Sequence, residues 1–293
     1  MLIYSFAVIA SLLIAFLCGS IPVALIIGKS MRGLDVREHG SGNAGSTNAI
    51  RVLGLGPGLL VFLGDVLKGA LGCVIVALAT LVLVPVASSF ATAEAFQLMQ
   101  GSTDVLELDP ILSILASGHA TLLHEVPMAL AVVATILGHM FSPFMGFKGG
   151  KGVATALGAI TVTLPLTAIC SLSVFIVVVL ISRYVSLGSI IAIITVPIFT
   201  ALFPLAFPDL VNLSPTYIVF TTLIAIVVVW AHRKNIVRLS KKEEPKFSIP
   251  KKDKAYGQGE DSVIDFVAED AAASDDAAAV SDDIAVASDK DDT

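Results

Sequence analysis

Residues 146–181 read GFKGGKGVATALGAITVTLPLTAICSLSVFIVVVLI. A short glycine- and lysine-rich segment opens into an apolar run, 153–181, that contains no Asp, Glu, Lys or Arg. A helix needs about 20 apolar residues to cross the hydrocarbon core of a bilayer. The run is too long for one comfortable crossing and short for two. Pro165 divides it, because proline removes an amide donor and crowds the preceding turn. We read a short span and a fuller one, split between Thr163 and Pro165, with the polar segment held at one face of the bilayer.

The same texture extends in both directions. Apolar runs cover 2–27, 52–87, 127–141, 189–204 and 215–230. Together with the divided run they predict an all-α, polytopic membrane helix bundle of about seven transmembrane helices, with five as the smaller count. Composition agrees: 56% of the 293 residues are hydrophobic and 14% charged, against about a quarter charged in a soluble domain. Residues 1–29 lack the basic start of a signal peptide and carry too long an apolar stretch, so they read as a retained first span. Cys18, Cys73 and Cys170 all lie in apolar runs, which argues against a disulfide framework or a zinc site.

Basic residues favour cytoplasmic loops. Lys29, Arg32, Arg37 and Arg51 flank the first loop; Lys148 and Lys151 follow the third span, Arg183 the fifth, and Arg233, Lys234 and Arg238 the last. No Lys or Arg occurs between Lys68 and Lys148, a gap holding a predicted loop, 87–126, with Glu94, Asp104, Glu107, Asp109 and Glu125. That loop, and the one near Pro208 and Asp209, are therefore placed outside. The amino terminus is outside, the carboxyl terminus cytoplasmic, and the glycine-rich segments share the cytoplasmic face. The net charge of −6 belongs to the end of the chain. Residues 241–293 carry 15 acidic residues and 7 lysines, whereas 1–240 carry 9 acidic and 11 basic ones. The chain thus divides into a membrane domain, 1–240, and a disordered acidic cytoplasmic tail, 241–293, too poor in large apolar residues to fold alone.

Four polar segments carry the chemistry. His39-Gly40-Ser41-Gly42-Asn43-Ala44-Gly45-Ser46-Thr47-Asn48, with Arg51 following, spells G-x-G-x-x-G. No strand precedes it, so it is a poor dinucleotide fingerprint. Its glycines still let backbone amides converge on an anion. Ser41, Asn43, Ser46, Thr47 and Asn48 add neutral donors, and Arg51 a planar fork suited to phosphate oxygens. The segment 146–152 resembles a phosphate loop but has Met145 and Gly152 where a nucleotide-hydrolysing loop needs Gly and Ser/Thr. What remains is a helix start with uncapped amides beside two ammonium groups, a ready anion site. Arg183-Tyr184-Val185-Ser186-Leu187-Gly188-Ser189 and His232-Arg233-Lys234-Asn235-Ile236-Val237-Arg238 are ordinary when read alone, though His232 and Asn235 share a helical face. Within the second span, Asp65 and Lys68 are three apart and read as a structural ion pair facing the bundle interior. His119, His124 and His139 have no metal-ligand spacing, and His139 reads as a hydrogen-bonded packing residue.

Taken together, these segments resemble the bacterial acyl-phosphate:glycerol-3-phosphate acyltransferase family, the PlsY type. The resemblance rests on Gly19-Ser20-Ile21-Pro22, residues 40–48 with Arg51, Asp65-Val66-Leu67-Lys68-Gly69, Gly138-His139, residues 147–155, residues 184–190 and residues 232–238. They follow family order across most of 1–240. The family often has proline where Ala44 stands, and both the 87–126 segment and the tail are longer than usual. The resemblance implies a multi-pass protein of the bacterial inner membrane with its site on the cytoplasmic face. It implies transfer of a fatty acyl group from acyl phosphate to the 1-hydroxyl of sn-glycerol 3-phosphate, giving 1-acyl-sn-glycerol 3-phosphate and phosphate for phospholipid biosynthesis. By position, Ser41, Arg51, Lys151, Ser186 and Asn235 would grip phosphates, with Asn43 beside them and Lys148 as alternative or partner to Lys151. His232 would position the glycerol, so that His232 and Asn235 stand nearest the chemistry. Membrane lipid and an upstream enzyme forming acyl phosphate are the implied partners; no metal, cofactor or nucleic acid is.

The residues support such chemistry from below. Acyl phosphate is already activated, so a protein need only hold two anions together, orient a hydroxyl and stabilise the departing charge. None of the five histidines has Asp five residues on. The His–Asp base of other glycerolipid acyltransferases is therefore missing, and His232 is the best base the chain offers. Two other readings compete. A small-anion membrane transporter would use the Asp65/Lys68 pair and show an internal repeat. A structural subunit would depend on the acidic tail.

Overall fold

The computed structural model describes residues 2–99, 109–209 and 213–247. The reading of 248–293 as a disordered tail, and residues 100–108 of the predicted outer loop, lie outside these. Among the described residues ten α-helices follow one another: α1 (Leu2–Ser20), α2 (Val23–Arg32), α3 (Ser46–Leu53), α4 (Leu55–Met99), α5 (Asp109–Met140), α6 (Val153–Thr163), α7 (Pro165–Ser182), α8 (Val185–Ala206), α9 (Pro215–Ala231) and α10 (Arg233–Ser240). The described residues form two compact units, one of 2–23 with 62–247 and one of 24–61.

Among the described residues, five helical stretches are long and apolar enough to cross a membrane: Tyr4–Arg32, Leu55–Val82, Leu123–Met145, Pro165–Ser182 and Val185–Ala206. α9 and α10, bent by 59° at His232, make a sixth if taken as one span. α6 is apolar but has only 11 residues, about 16 Å of helix. The break between α6 and α7 falls at Leu164, with Pro165 opening the second helix, where the sequence places it. Large apolar side chains point outward, as with Phe6, Leu180, Ile181 and Leu205, while Ser20, Asp65, Lys68, Thr135, His139 and Thr155 are buried. That inside-out distribution suits a bundle whose surface meets lipid.

Small residues set the helix crossings in the larger unit. A Cβ at Gly19 or Gly138 would overlap the backbone of Thr135 or Phe16, so α1 and α5 touch main chain to main chain. A Cβ at Gly69 or Gly158 would likewise overlap Thr155 or Val66, joining α4 to α6. Pro127 lies inside α5 and has no amide to give the carbonyl of Leu123; the Tyr4 hydroxyl donates to that carbonyl instead. α7 and α8 form an antiparallel pair, tied where Thr195 Oγ1 donates to Ser171 Oγ at 3.2 Å.

Two features differ from the sequence reading. The first span breaks at Ile21-Pro22, before α2 begins at Val23, because Pro22 cannot supply the next helical amide. The stretch read as an outer loop, 87–126, is helical on both sides of 100–108, since α4 runs to Met99 and α5 starts at Asp109. Residues 87–99 contain neither Gly nor Pro. Loss of hydrophobicity there therefore ends the apolar window but not the helix.

Candidate phosphate-binding site

In the smaller unit, Asn48 shapes the first glycine loop. Its Nδ2 donates to the carbonyls of Val36 (2.7 Å) and His39 (3.1 Å), and its Oδ1 accepts from the Ser41 amide (2.8 Å) and hydroxyl (3.1 Å). Buried and saturated, Asn48 is a loop-builder rather than a ligand. Gly40 and Gly42 hold φ of 58° and 67°, which favour glycine. The loop leaves Ser41 exposed, Asn43 half-buried, and Arg51 half-buried in the last turn of α3. At its entrance Asp35 and Arg37 pair at 2.7 Å. Hydrogen bonding from Arg37 holds the Asp35 carboxyl below its ordinary value.

In the larger unit, the second glycine loop hangs from α5. Ser142 Oγ donates to the Ser20 carbonyl at 2.6 Å, and the Gly149 amide donates to the Met140 carbonyl at 3.0 Å. Gly152, at φ 79°, turns the chain into α6, whose first turn has no side-chain cap. That leaves amides at a helix start beside Lys151. Lys148 is exposed and Lys151 half-buried.

Lys151 reaches the last polar segment. Its Nζ donates to Asn235 Oδ1 at 2.5 Å. The amide nitrogen of Asn235 donates to Glu244 Oε1 at 2.6 Å, and Arg238 Nε donates to Glu244 Oε2 at 2.7 Å. Ser186, from the start of α8, is buried, and its Oγ has no hydrogen-bond partner; it lies close enough to Glu244 to help lower that carboxyl's pKa. His232 sits at the α9–α10 bend, where the charges of Lys151 and Glu244 both act on it. Its Nδ1 contacts the Val228 carbonyl at 2.8 Å. A carbonyl only accepts, so Nδ1 carries the proton and Nε2 is the acceptor of the neutral ring. The fold thus brings Lys151, Ser186, His232 and Asn235 together from three distant stretches of chain, while Ser41, Asn43 and Arg51 are arranged within the smaller unit.

Glu244 was missed in the sequence because it looks like one more solvated acid of the tail. The chain stays packed through Phe247: the Phe247 amide donates to the Arg183 carbonyl at 2.7 Å, and Lys246 lies 5.9 Å from the Tyr184 ring centre. Glu244 itself is 8% exposed. Burial alone would raise its pKa, but hydrogen bonds from Arg238 and Asn235 hold it below the ordinary value. The available signal was position, an acidic pair, Glu243 and Glu244, among lysines shortly after Arg238.

The Asp65–Lys68 pair is present at 2.7 Å, with both side chains nearly inaccessible. Lys68 Nζ also donates to the Ile21 carbonyl at 2.9 Å, which satisfies a backbone group at the α1–α2 break. His139 Nδ1 lies 3.1 Å from Thr155 Oγ1 and 3.5 Å from Asp65 Oδ1.

An apolar helix bundle with a cluster of cation, amide, hydroxyl and imidazole at its helix ends defines an integral membrane protein equipped for an anionic substrate. A family profile described as glycerol-3-phosphate acyltransferase matches residues 9–242, and the chain belongs to that family of membrane enzymes. The glycerol-3-phosphate acyltransferase of Chlorobaculum tepidum is 36% identical over 260 residues, covering 83% of this chain and 98% of that one. The Bacillus subtilis enzyme of the same name is 35% identical over 237 residues, covering 80% and 95%. Among solved structures, the crystal structure of PlsY (YgiH), an integral membrane glycerol 3-phosphate acyltransferase in its glycerol 3-phosphate form, aligns with a TM-score of 0.59 and 31% identity, covering 82% of this chain and 96% of that one. Its lysophosphatidic acid form aligns with a TM-score of 0.58 and 30% identity.

Proposed function

We propose that this enzyme takes its acyl group from acyl phosphate and transfers it to the 1-hydroxyl of sn-glycerol 3-phosphate, at the cytoplasmic face of a bacterial inner membrane. The observation that carries the reading is the 2.5 Å contact between Lys151 and Asn235, with the buried Ser186 hydroxyl and the His232 ring beside it. Lys151, Ser186 and the uncapped start of α6 hold phosphate oxygens. Asn235 aims the Lys151 ammonium; within the smaller unit, Ser41, Asn43 and Arg51 offer phosphate-binding donors of their own. Lys148, exposed, adds only long-range charge. In the reaction the glycerol oxygen forms an ester bond to the acyl carbon. The bond from that carbon to the bridging oxygen breaks, phosphate leaves with the electron pair, and the hydroxyl proton ends on phosphate. His232 Nε2 accepts the hydrogen bond that orients the hydroxyl. An enzyme that forms acyl phosphate must act upstream.

A groove between α6, α7 and α8 supports a long-chain donor. Its walls include Val153, Leu157, Ile160, Ala168, Phe175 and Val196, and its lining is almost wholly apolar. Val153, which lines the groove, lies two residues after Lys151, so a phosphate held at Lys151 has the groove within reach of an attached acyl chain. The rival reading as a small-anion transporter leans on the Asp65–Lys68 pair, which is closed on itself and on the Ile21 carbonyl. The test is an assay of purified protein with glycerol 3-phosphate and three donors: acyl phosphate, acyl-CoA and acyl carrier protein. Release of phosphate with formation of 1-acyl-glycerol 3-phosphate, from acyl phosphate alone, is the expected result. Turnover confined to acyl-CoA or acyl carrier protein would overturn the donor assignment.

A further inference from the structure

The buried polar cluster of Asp65, Lys68, His139 and Thr155 takes no direct part in the reaction just described, yet it lies directly behind the second glycine loop. A Cβ at Gly149 would overlap the His139 carbonyl, and a Cβ at Gly150 would overlap Nε2 of the His139 ring. The imidazole is therefore the floor on which Gly150 rests. Its far edge is fixed by Thr155, in the first turn of α6, at 3.1 Å, and by Asp65 at 3.5 Å. Asp65 is in turn fixed by Lys68, which grips the Ile21 carbonyl. All these side chains are at most 4% exposed. Burying an ion pair and an imidazole among membrane helices is costly, and an apolar core of the same volume would often be as stable. What the cluster achieves that an apolar core would not is a fixed ring orientation, with hydrogen bonds on one edge and a backbone loop on the other.

We propose that His139, oriented by Thr155 and by the Asp65–Lys68 pair, is a positioning residue. It sets the path of residues 149–152 and so aims the Lys151 ammonium at the bound phosphate. Without the ring, Gly150 loses its support, the loop relaxes, and Lys151 no longer holds its place against Asn235. This inference rests on Lys151 holding a substrate phosphate. It predicts a defect in binding an anionic substrate rather than in the chemical step.

The test compares wild type, His139→Ala, His139→Asn, Gly150→Ala and the double variant Gly150→Ala/His139→Ala. Fold is followed by thermal melting in detergent, and kinetics with acyl phosphate and glycerol 3-phosphate varied separately. His139→Asn keeps a donor near Thr155 and Asp65 but lacks the ring edge under Gly150, so it serves if the alanine variant does not fold. We expect His139→Asn to raise KM for at least one phosphate substrate about tenfold, with kcat within about threefold of wild type. Gly150→Ala should be more severe, because its methyl meets the ring. In the double variant the methyl occupies the vacated space, and KM should fall back to within about threefold of the His139→Ala value, a coupling that independent sites would not show. Unchanged KM in a folded His139→Asn protein overturns the proposal. So does a Gly150→Ala defect of the same size with and without the ring. Wild-type protein inactive with both substrates would overturn the donor reading together with the proposal. Wild-type activity with unmoved variants overturns the proposal alone.

Discussion

At the scale of single residues, the two lysines of the second glycine loop separate by what they touch. Lys151 bonds Asn235, while Lys148 is exposed. Lys151→Ala should lower kcat/KM on the order of 10²–10³-fold, the cost of removing one preorganised donor from a developing anion. Arg51→Ala should have an effect of the same order, and Lys148→Ala should stay within about threefold. All three proteins should melt like wild type in detergent. Activity that survives loss of both Arg51 and Lys151 would remove the phosphate-grip argument. Glu244 gives a pH prediction. Its folded-state pKa is depressed by Arg238 and Asn235 against the effect of burial. Its stabilising contribution is therefore complete above the ordinary value of 4.5 and is lost as pH falls through the lower folded-state value. Between about pH 6 and about pH 3 the melting temperature of wild type should drop more steeply than that of Glu244→Gln, which should start lower and fall less. Equal slopes would show that the carboxylate does not hold 241–247 in place. Sequence alone offered Lys148 and Lys151 as equals and did not offer Glu244. Both distinctions depend on which side chains meet across long chain separations, and local pattern does not encode that.

At the scale of elements, glycine placement explains how a short helix packs closely against its neighbours. α6 has 11 residues, yet it carries the start of the proposed phosphate site and packs on α4 through Gly158. Gly158→Ala should push α6 off the Val66 carbonyl and destabilise the protein by about 1–3 kcal/mol, as overpacking typically does; an unchanged melting temperature would count against so close a crossing. The apolar groove beside α6 yields a second element-scale prediction. Ala168→Phe fills part of it, so relative kcat/KM should shift toward shorter acyl phosphates, and a chain-length profile identical to wild type would place the acyl chain elsewhere. The α6–α7 break was legible because Pro165 announces it. The continuation of α4 to Met99 was not, because an apolar window marks where lipid ends rather than where hydrogen bonding stops.

At the scale of the whole molecule, the proposed seven crossings count α6 as a short one. With about 16 Å of helix against a hydrocarbon core of about 30 Å, α6 needs local thinning of the bilayer or help from its neighbours. α6 and α7 lie side by side along the groove, so the loop before α6 and the loop after α7 fall on one face whether or not α6 reaches the far side. The proposed orientation therefore does not depend on that helix. Single cysteines placed at Lys148, Tyr184 and Lys241 in a cysteine-free protein should react with a membrane-impermeant maleimide only in inside-out vesicles, whereas one at Asp209 should react in right-side-out ones. Labelling of position 148 from outside would sink the orientation and the cytoplasmic site with it.

The sequence by itself determined that this is a helical membrane protein, where its polar segments begin, and which motifs join it to its family, because hydrophobic run length, basic-residue bias and glycine spacing are local properties that survive without coordinates. Only the tertiary structure decided that Lys151 rather than Lys148 meets Asn235, that Asn48 is consumed in building its loop, that Glu244 is buried, and that His139 lies beneath Gly150. Each of those facts is a contact between chain segments, fixed by how closely helices can approach at their small residues.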